Sequence, residues 1–324
     1  MEGDTAARRI DCHNHIGVEL INYLNGDFPY AQMLPALVAE GRAHGITDWI
    51  VFPMVSNLTL NLAALRAMRI ESGGLEQVPY AFENRRLLCE LHDLFPHLRP
   101  HVYPFAMVDP MREPLAQANA LRELRAEHLF YGLKMQTTML QSDIRALLQD
   151  GRIFLDLARE WDIPMLIHTS VYERDRWAQA ADILDIVEAT PEVRFCLAHS
   201  CRFDRVHLDR LAALPNAWFD CSAHRIHCCL AMQDSPHVAG APRRFDSDYS
   251  RPERVLRDLA LAYPNKLLWG SDSPYYSFAS HDSGLSLFSS YAEEVVCLDA
   301  LPTTVQSRIA CENTLRCFGL KARR

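Results

Sequence analysis

Apolar positions gather into short, nearly unbroken runs at residues 49–55, 102–108, 131–135, 164–169, 193–198, 218–221 and 267–269, and residues 9–11 add an eighth candidate strand. Runs of that length without polar alternation predict strands covered on both faces, as in a parallel sheet flanked by helices. Between them apolar residues recur at helical spacing, for example over 115–127, 153–161, 178–188 and 252–263. In the middle of the chain the strands are about 30 residues apart, the length of a strand–helix–strand unit. Eight such strands predict an α/β fold, a single (β/α)8 barrel domain over residues 1–324. A doubly wound open sheet is the rival. It usually opens on a glycine-rich nucleotide turn, and no G-x-G-x-x-G or Walker-type loop occurs here.

Two segments break the rhythm. Residues 72–96, with Gly73-Gly74 and an extra helical pattern over 83–94, follow the second strand, and residues 223–251 follow the seventh. Both are long for plain connections, and insertions at barrel strand ends commonly form lids or substrate walls. The second is expected to fold over the site and turn Arg225 towards it.

Composition narrows the classes. With 33 basic and 41 acidic residues the formal charge is −8, which disfavours phosphate backbones and anionic membranes as partners. The N-terminus lacks a basic stretch followed by an apolar one, and no apolar run approaches a membrane span. The 10 cysteines form no C-x-x-C pair and read as reduced thiols, so a cytoplasmic protein is expected, acting on a small molecule and compatible with a homo-oligomer.

Candidate chemistry starts at Asp11-Cys12-His13-Asn14-His15. Side chains two apart in a strand share a side, so His13 and His15 can grip one metal. Lys134, His168, His199 and Asp272 then stand at the C-terminal ends of later strands. Each alone has an innocent reading as a core histidine, a snorkelling lysine or a capping aspartate. Five strands delivering ligand-type residues to one barrel end do not, because that end is where barrel active sites lie.

With the Gly-Leu-Lys run at Lys134, Ala198-His199, Gly270-Ser271-Asp272-Ser273-Pro274 and the terminal stretch Asn313 to Leu320, the chain resembles the amidohydrolase superfamily. Within it, the likeness is to the amidohydrolase-2 branch, which holds hydrolases and ACMSD-like decarboxylases. The resemblance implies a divalent metal held by His13, His15 and Asp272, with His168 a further ligand. It also implies that Lys134, if carboxylated, bridges to a second ion held by His168 and His199. Imidazole ligands suit Zn first, with Mn and Fe as alternatives, and one or two ions fit.

The implied activity is metal-dependent hydrolysis of an amide, ester or lactone in a small polar molecule, with Asp272 as general base. Non-oxidative decarboxylation is the alternative, in which His199 serves as an acid-base group. Where relatives commonly carry small residues after the sixth strand, this chain has Ser200-Cys201-Arg202. Arg202, His224 and Arg225 are candidates to bind substrate, a guanidinium gripping a carboxylate, and Tyr275 is a candidate pocket wall. Cys228-Cys229 with His224 and His227 lacks the spacing of a second metal cluster.

Overall fold

The computed structural model describes residues 8–54, 61, 64, 67–69, 71, 78–281 and 284–321. Eight strands follow the apolar runs: β1 (Ile10–Val18), β2 (Asp48–Pro53), β3 (Val102–Met107), β4 (Gly132–Met135), β5 (Met165–Ile167), β6 (Phe195–Leu197), β7 (Ala217–Asp220) and β8 (Leu267–Leu268). Each pairs with the next in parallel register. The ring closes between β8 and β1, where Cys12 N donates to Trp269 O at 3.2 Å and His15 N to Ser273 O at 2.8 Å. A two-residue segment, Ala31–Gln32, adds to β1 antiparallel.

A helix follows every strand: α1 (Leu34–Ala43), α2 (Ala81–Cys89), α3 (Pro114–Glu127), α4 (Arg152–Glu160), α5 (Ala180–Ala189), α6 (Arg205–Ala213), α7 (Pro252–Ala262) and α8 (Tyr291–Asp299). Their starts are written locally. Proline opens α3 and α7, where its missing N–H costs no helical bond. Asp204 caps α6 by accepting from Val206 N and His207 N, and Ser290 caps α8. The fold is the expected (β/α)8 barrel.

Two readings of the insertions change. The pattern over 83–94 is α2, continued by a π turn over Glu90–Leu94, so it is the barrel's own second helix rather than an addition. Gly73-Gly74 and Val55 lie outside the described residues. The second insertion carries a helix, His224–Met232, before the chain reaches α7.

The barrel interior is filled from Ile10, Ile50, Phe52, Phe105, Leu166, Cys196 and Leu268. A last helix, Asn313–Phe318, seals the end at which the strands begin. Phe318 lies edge-on to Phe105 with ring centroids 5.0 Å apart, and Asn313 Nδ2 donates to Leu267 O at 2.7 Å. One end of the barrel is thus apolar and plugged, which leaves the strand C-termini to carry the polar groups. All ten cysteines are free, and no described helix is long and apolar enough to cross a membrane.

Candidate active site

The two histidines of β1 reach the interior through an irregularity. The register of β1 against β2 shifts between Asp11 and Asn14, inserting one residue. Cys12 packs in the lower interior, and after the shift His13 and His15 face inward as well, while Asn14 bonds to the carbonyls of Asp11 and Ile50. Opposite them the chain after β8 passes close. A Cβ on Gly270 would lie 2.9 Å from the Cβ of His13, so only glycine lets this segment approach. Asp272 then adopts a left-handed φ of 65°, with its N–H bonded to His13 O at 2.9 Å, and its carboxylate lies against the histidines.

Asp272 Oδ1 lies 3.2 Å from His13 Nε2 and 3.4 Å from His15 Nε2, buried and without a hydrogen-bond donor among the described residues. The state of His13 is fixed from behind. Its Nδ1 is 2.9 Å from Asp220 Oδ2, a carboxylate that can only accept, so His13 Nδ1 carries a proton and Nε2 is the nitrogen turned towards Asp272 and Lys134. An imidazole nitrogen and a carboxylate oxygen facing each other at 3.2 Å are spaced to share a cation. The spacing fits one, since ligands about 2.0–2.1 Å from a tetrahedral ion stand roughly 3.3 Å apart. His13, His199 and Asp272 also bring one ligand atom each to within 4.8 Å of one another. The donor set therefore fits a divalent metal held by His13, His15 and Asp272, with His199 adjacent. The carboxylate behind His13 is the outer partner that metal-binding imidazoles usually have.

Lys134 is buried at the end of β4, its Nζ 3.3 Å from His13 Nε2 and 4.7 Å above the Phe52 ring. Burial lowers its amine to about 8, against the opposing pull of Asp220 and Asp272. About a tenth of the amine is then neutral at pH 7, and neutral amine is the form that reacts with carbon dioxide.

His168 and His199 meet each other at the ends of β5 and β6. Burial, then the charge of Arg202, pushes His168, His199 and His227 well below the usual histidine range, so each is neutral with one N–H and one lone pair. Arg202 only donates: its Nε bonds Thr169 O at 2.8 Å, its Nη2 His168 Nε2 at 3.1 Å and its Nη1 His227 Nε2. His168 must then carry its proton on Nδ1, which donates to His199 Nε2 at 3.0 Å. His199 in turn donates from Nδ1 to Ser222, whose carbonyl and Oγ stand at 3.1 and 2.9 Å. The Ser222 hydroxyl donates to Asp220 Oδ1 at 2.5 Å. One directed chain thus runs from Arg202 through both histidines to the carboxylate that orients His13. Interactions with His13, Ser222 and the His199 backbone outweigh burial and hold that carboxyl well below its usual range.

His15, His168, His199, Arg202, His227 and Asp272 line a cavity of about 480 Å³. Tyr275 lines it as expected, its ring edge-on to His15 at 5.0 Å. Arg202 lines it too. His224 and Arg225 do not, which corrects their expected role as substrate ligands. On the helix His224–Met232 it is Ala223, Ile226 and His227 that face the cavity, a spacing of three and four residues that marks one helical face. Arg225 points the other way, 3.1 Å from Glu293 on α8, and His224 is buried with Nε2 2.8 Å from Pro252 O. Replacing Arg225 by Ala should therefore leave kcat/KM within about twofold, and a loss of tenfold or more in steady-state kinetics would return it to the site.

His224 should instead affect acid stability. Burial lowers it to about 4 in the folded protein, whereas the unfolded chain takes up its proton near 6.5. Stability is thus complete above about pH 6.5 and declines as pH falls towards 4, by about 3 kcal/mol for this one group. Urea titrations of His224→Phe between pH 7 and 4.5 should show a shallower decline than wild type. Parallel declines would remove His224 as a cause.

Sequence reasoning missed Asp220, Ser222 and Gln136, and weighed His227 only in a metal cluster with Cys228 and Cys229. Asp220 had a signal, a carboxylate ending an apolar strand at the chemically active end of the barrel.

The family model described as Amidohydrolase matches residues 10–320. No curated protein sequence matches significantly. Among solved structures, the fold is similar to an amidohydrolase from Burkholderia multivorans with bound HEPES, at 18% identity over 97% of this chain and 100% of that one, with a TM-score of 0.64. It is also similar to 2,6-dihydroxybenzoate decarboxylase from Rhizobium (13% identity, 97% and 99% coverage, TM-score 0.61). A third is dihydroorotase from Campylobacter jejuni (16%, 98% and 84%, TM-score 0.56). At these identities the likeness shows the fold, and the solved neighbours span hydrolytic and decarboxylating enzymes.

Proposed function

Since the chain belongs to the amidohydrolase family, matched over residues 10–320, we propose that it is a metal-dependent hydrolase of an amide, ester or lactone in a small carboxylate-bearing molecule. The observation that carries this reading is the Asp272 carboxylate, buried at the cavity floor against two imidazole nitrogens with one oxygen lacking a donor. Held by His13, His15 and Asp272, a divalent ion, Zn first by ligand type, would polarise the scissile carbonyl and acidify a water beside it. Asp272 takes the proton of that water and passes it to the leaving nitrogen or oxygen. Arg202, anchored through Nε to Thr169 O, keeps guanidinium N–H groups for the substrate carboxylate. Tyr275 and the helix 224–232 narrow the cavity around the reacting groups. A carbamate on Lys134 would add oxygen ligands for a second ion near His13.

Decarboxylation is the second reading, favoured by the contact between His168 and His199. With Nε2 of His199 taken up by His168, His199 is not required as a ligand, and this reading needs it to gain a second proton from the His168 side before it gives one to carbon. Turnover of a panel of lactones, amides and unsaturated carboxylic acids in H2(18)O and in D2O separates the two. Hydrolysis places one solvent oxygen in the product. Carbon dioxide release with solvent deuterium on carbon, and no solvent oxygen incorporated, would replace the hydrolytic reading by the second.

A further inference from the structure

The chain after β6 takes a conformation that side chains disfavour. Five successive residues, His199 to Phe203, have left-handed φ between 46° and 64°, and none of them is glycine. L-residues visit that region singly and at a cost, so a run of it persists only where neighbouring structure holds it. The turn has about three residues per revolution, so His199 and Arg202 fall on one face, and both line the cavity. What holds the turn is the insertion between β7 and α7. Ala239 N donates to Arg202 O at 2.9 Å, Phe245 N to Phe203 O at 2.8 Å, and Arg205 N to Arg243 O at 2.9 Å. The helix His224–Met232 grips the side chain, through His227 Nε2 accepting from Arg202 Nη1. Both grips converge on Arg244. Its side chain, 10% exposed, donates from Nε to Ala239 O at 2.7 Å, from Nη1 to Ala231 O on that helix at 2.6 Å, and from Nη2 to Asp234 Oδ1 at 2.9 Å.

We propose that Arg244 is a positioning residue: by clasping the segment around Ala239 to the helix His224–Met232, it holds the left-handed turn that presents Arg202 to the cavity. That Arg202 then binds a substrate carboxylate rests on the reading given above. A guanidinium suits the task, since its N–H groups lie in one rigid plane and reach two carbonyls at once, whereas a lysine amine is a single point on a flexible stem. Without the clasp the turn has less to hold it against its own backbone preference, and Arg202 loses its aim while its own side chain is unchanged. Glycine at position 200 lowers that need, because Ser200 has a φ of 50° and glycine adopts left-handed φ without steric cost.

Heteronuclear NMR of the histidine rings in zinc-loaded protein tests this without a substrate. Arg202 occupies His227 Nε2, so wild type should show His227 as the single tautomer protonated at Nδ1, its signals identified by their loss in His227→Gln. Arg202→Met should free that nitrogen and mix the tautomers. Arg244→Met should do the same with Arg202 still present, and adding Ser200→Gly should bring back about half or more of the wild-type tautomer. On whichever member of the substrate panel is turned over, Arg244→Met should raise KM about tenfold and leave kcat within about threefold. An unchanged His227 signal in Arg202→Met or in folded Arg244→Met, or a tautomer mixture that Ser200→Gly leaves untouched, would overturn the role of Arg244. Mixed tautomers in Arg202→Met with an unchanged KM would instead remove the carboxylate reading and leave the positioning standing. If circular dichroism shows Arg244→Met unfolded, Arg244→Lys, which keeps the charge but not the clasp on two carbonyls, decides by the same signal.

Discussion

Asp272→Asn should keep its fold and lose activity by about 10² or more, even with metal resupplied to saturation. The carboxylate does two things in the proposed reaction. As a ligand it shares a cation with His13 and His15, and the carboxamide oxygen of Asn can partly replace it there. As a base it accepts a proton from water, and a carboxamide cannot. The free Oδ1, 3.2 and 3.4 Å from two ligand nitrogens, has no donor that would occupy it in the meantime. A kcat within a few-fold of wild type at saturating metal would reduce Asp272 to a ligand and move the proton transfer to His199.

Asp220→Asn should weaken metal binding by about 10- to 100-fold without touching the metal or the cavity. Asp220 Oδ2 accepts from His13 Nδ1 at 2.9 Å, and Oδ1 accepts from Ser222 Oγ, Ser222 N and His199 N. With the Cys196 thiol also directed at Oδ2, an asparagine has one oxygen for five donors. If its NH2 faces His13, the imidazole proton moves to Nε2 and the lone pair aimed at the ion disappears. If it faces the other side, Ser222 and the His199 backbone lose their acceptor, which costs about 1–3 kcal/mol of stability. Competition with a chromophoric chelator measures the first effect and thermal unfolding the second. Unchanged metal affinity would mean that the tautomer of His13 is set by something other than Asp220.

The barrel and the gathering of the candidate residues at one of its ends were legible for a simple reason. Lys134, His168, His199 and Asp272 stand at or just past the ends of near-continuous apolar runs, His13 and His15 sit in the first strand, and strand direction then collects them at one end. What was not legible depends on contacts between strands or on helix phase. Ser222 and Asp220 act through neighbours on β1 and β6, and a one-dimensional pattern does not give those partners. His224 and Arg225 stand next to each other, but successive helical residues turn by about 100°. Only the spacing of Ala223, Ile226 and His227 separates the cavity face from the outer face. The pattern over 83–94 was recognised as a helix but given to an insertion, because periodicity identifies an element without saying which strand it follows in the barrel.

The most direct test of metal dependence is elemental analysis of protein prepared without chelator, paired with activity before and after metal removal. His13, His15 and Asp272 converging on one point should hold at least about one divalent ion per chain. Dialysis against a strong chelator should abolish turnover, and Zn, Mn or Fe should restore it. Protein that contains no metal and retains full activity would contradict the account, leaving the facing Nε2 of His13 and carboxylate of Asp272 to be reconciled by Lys134 alone.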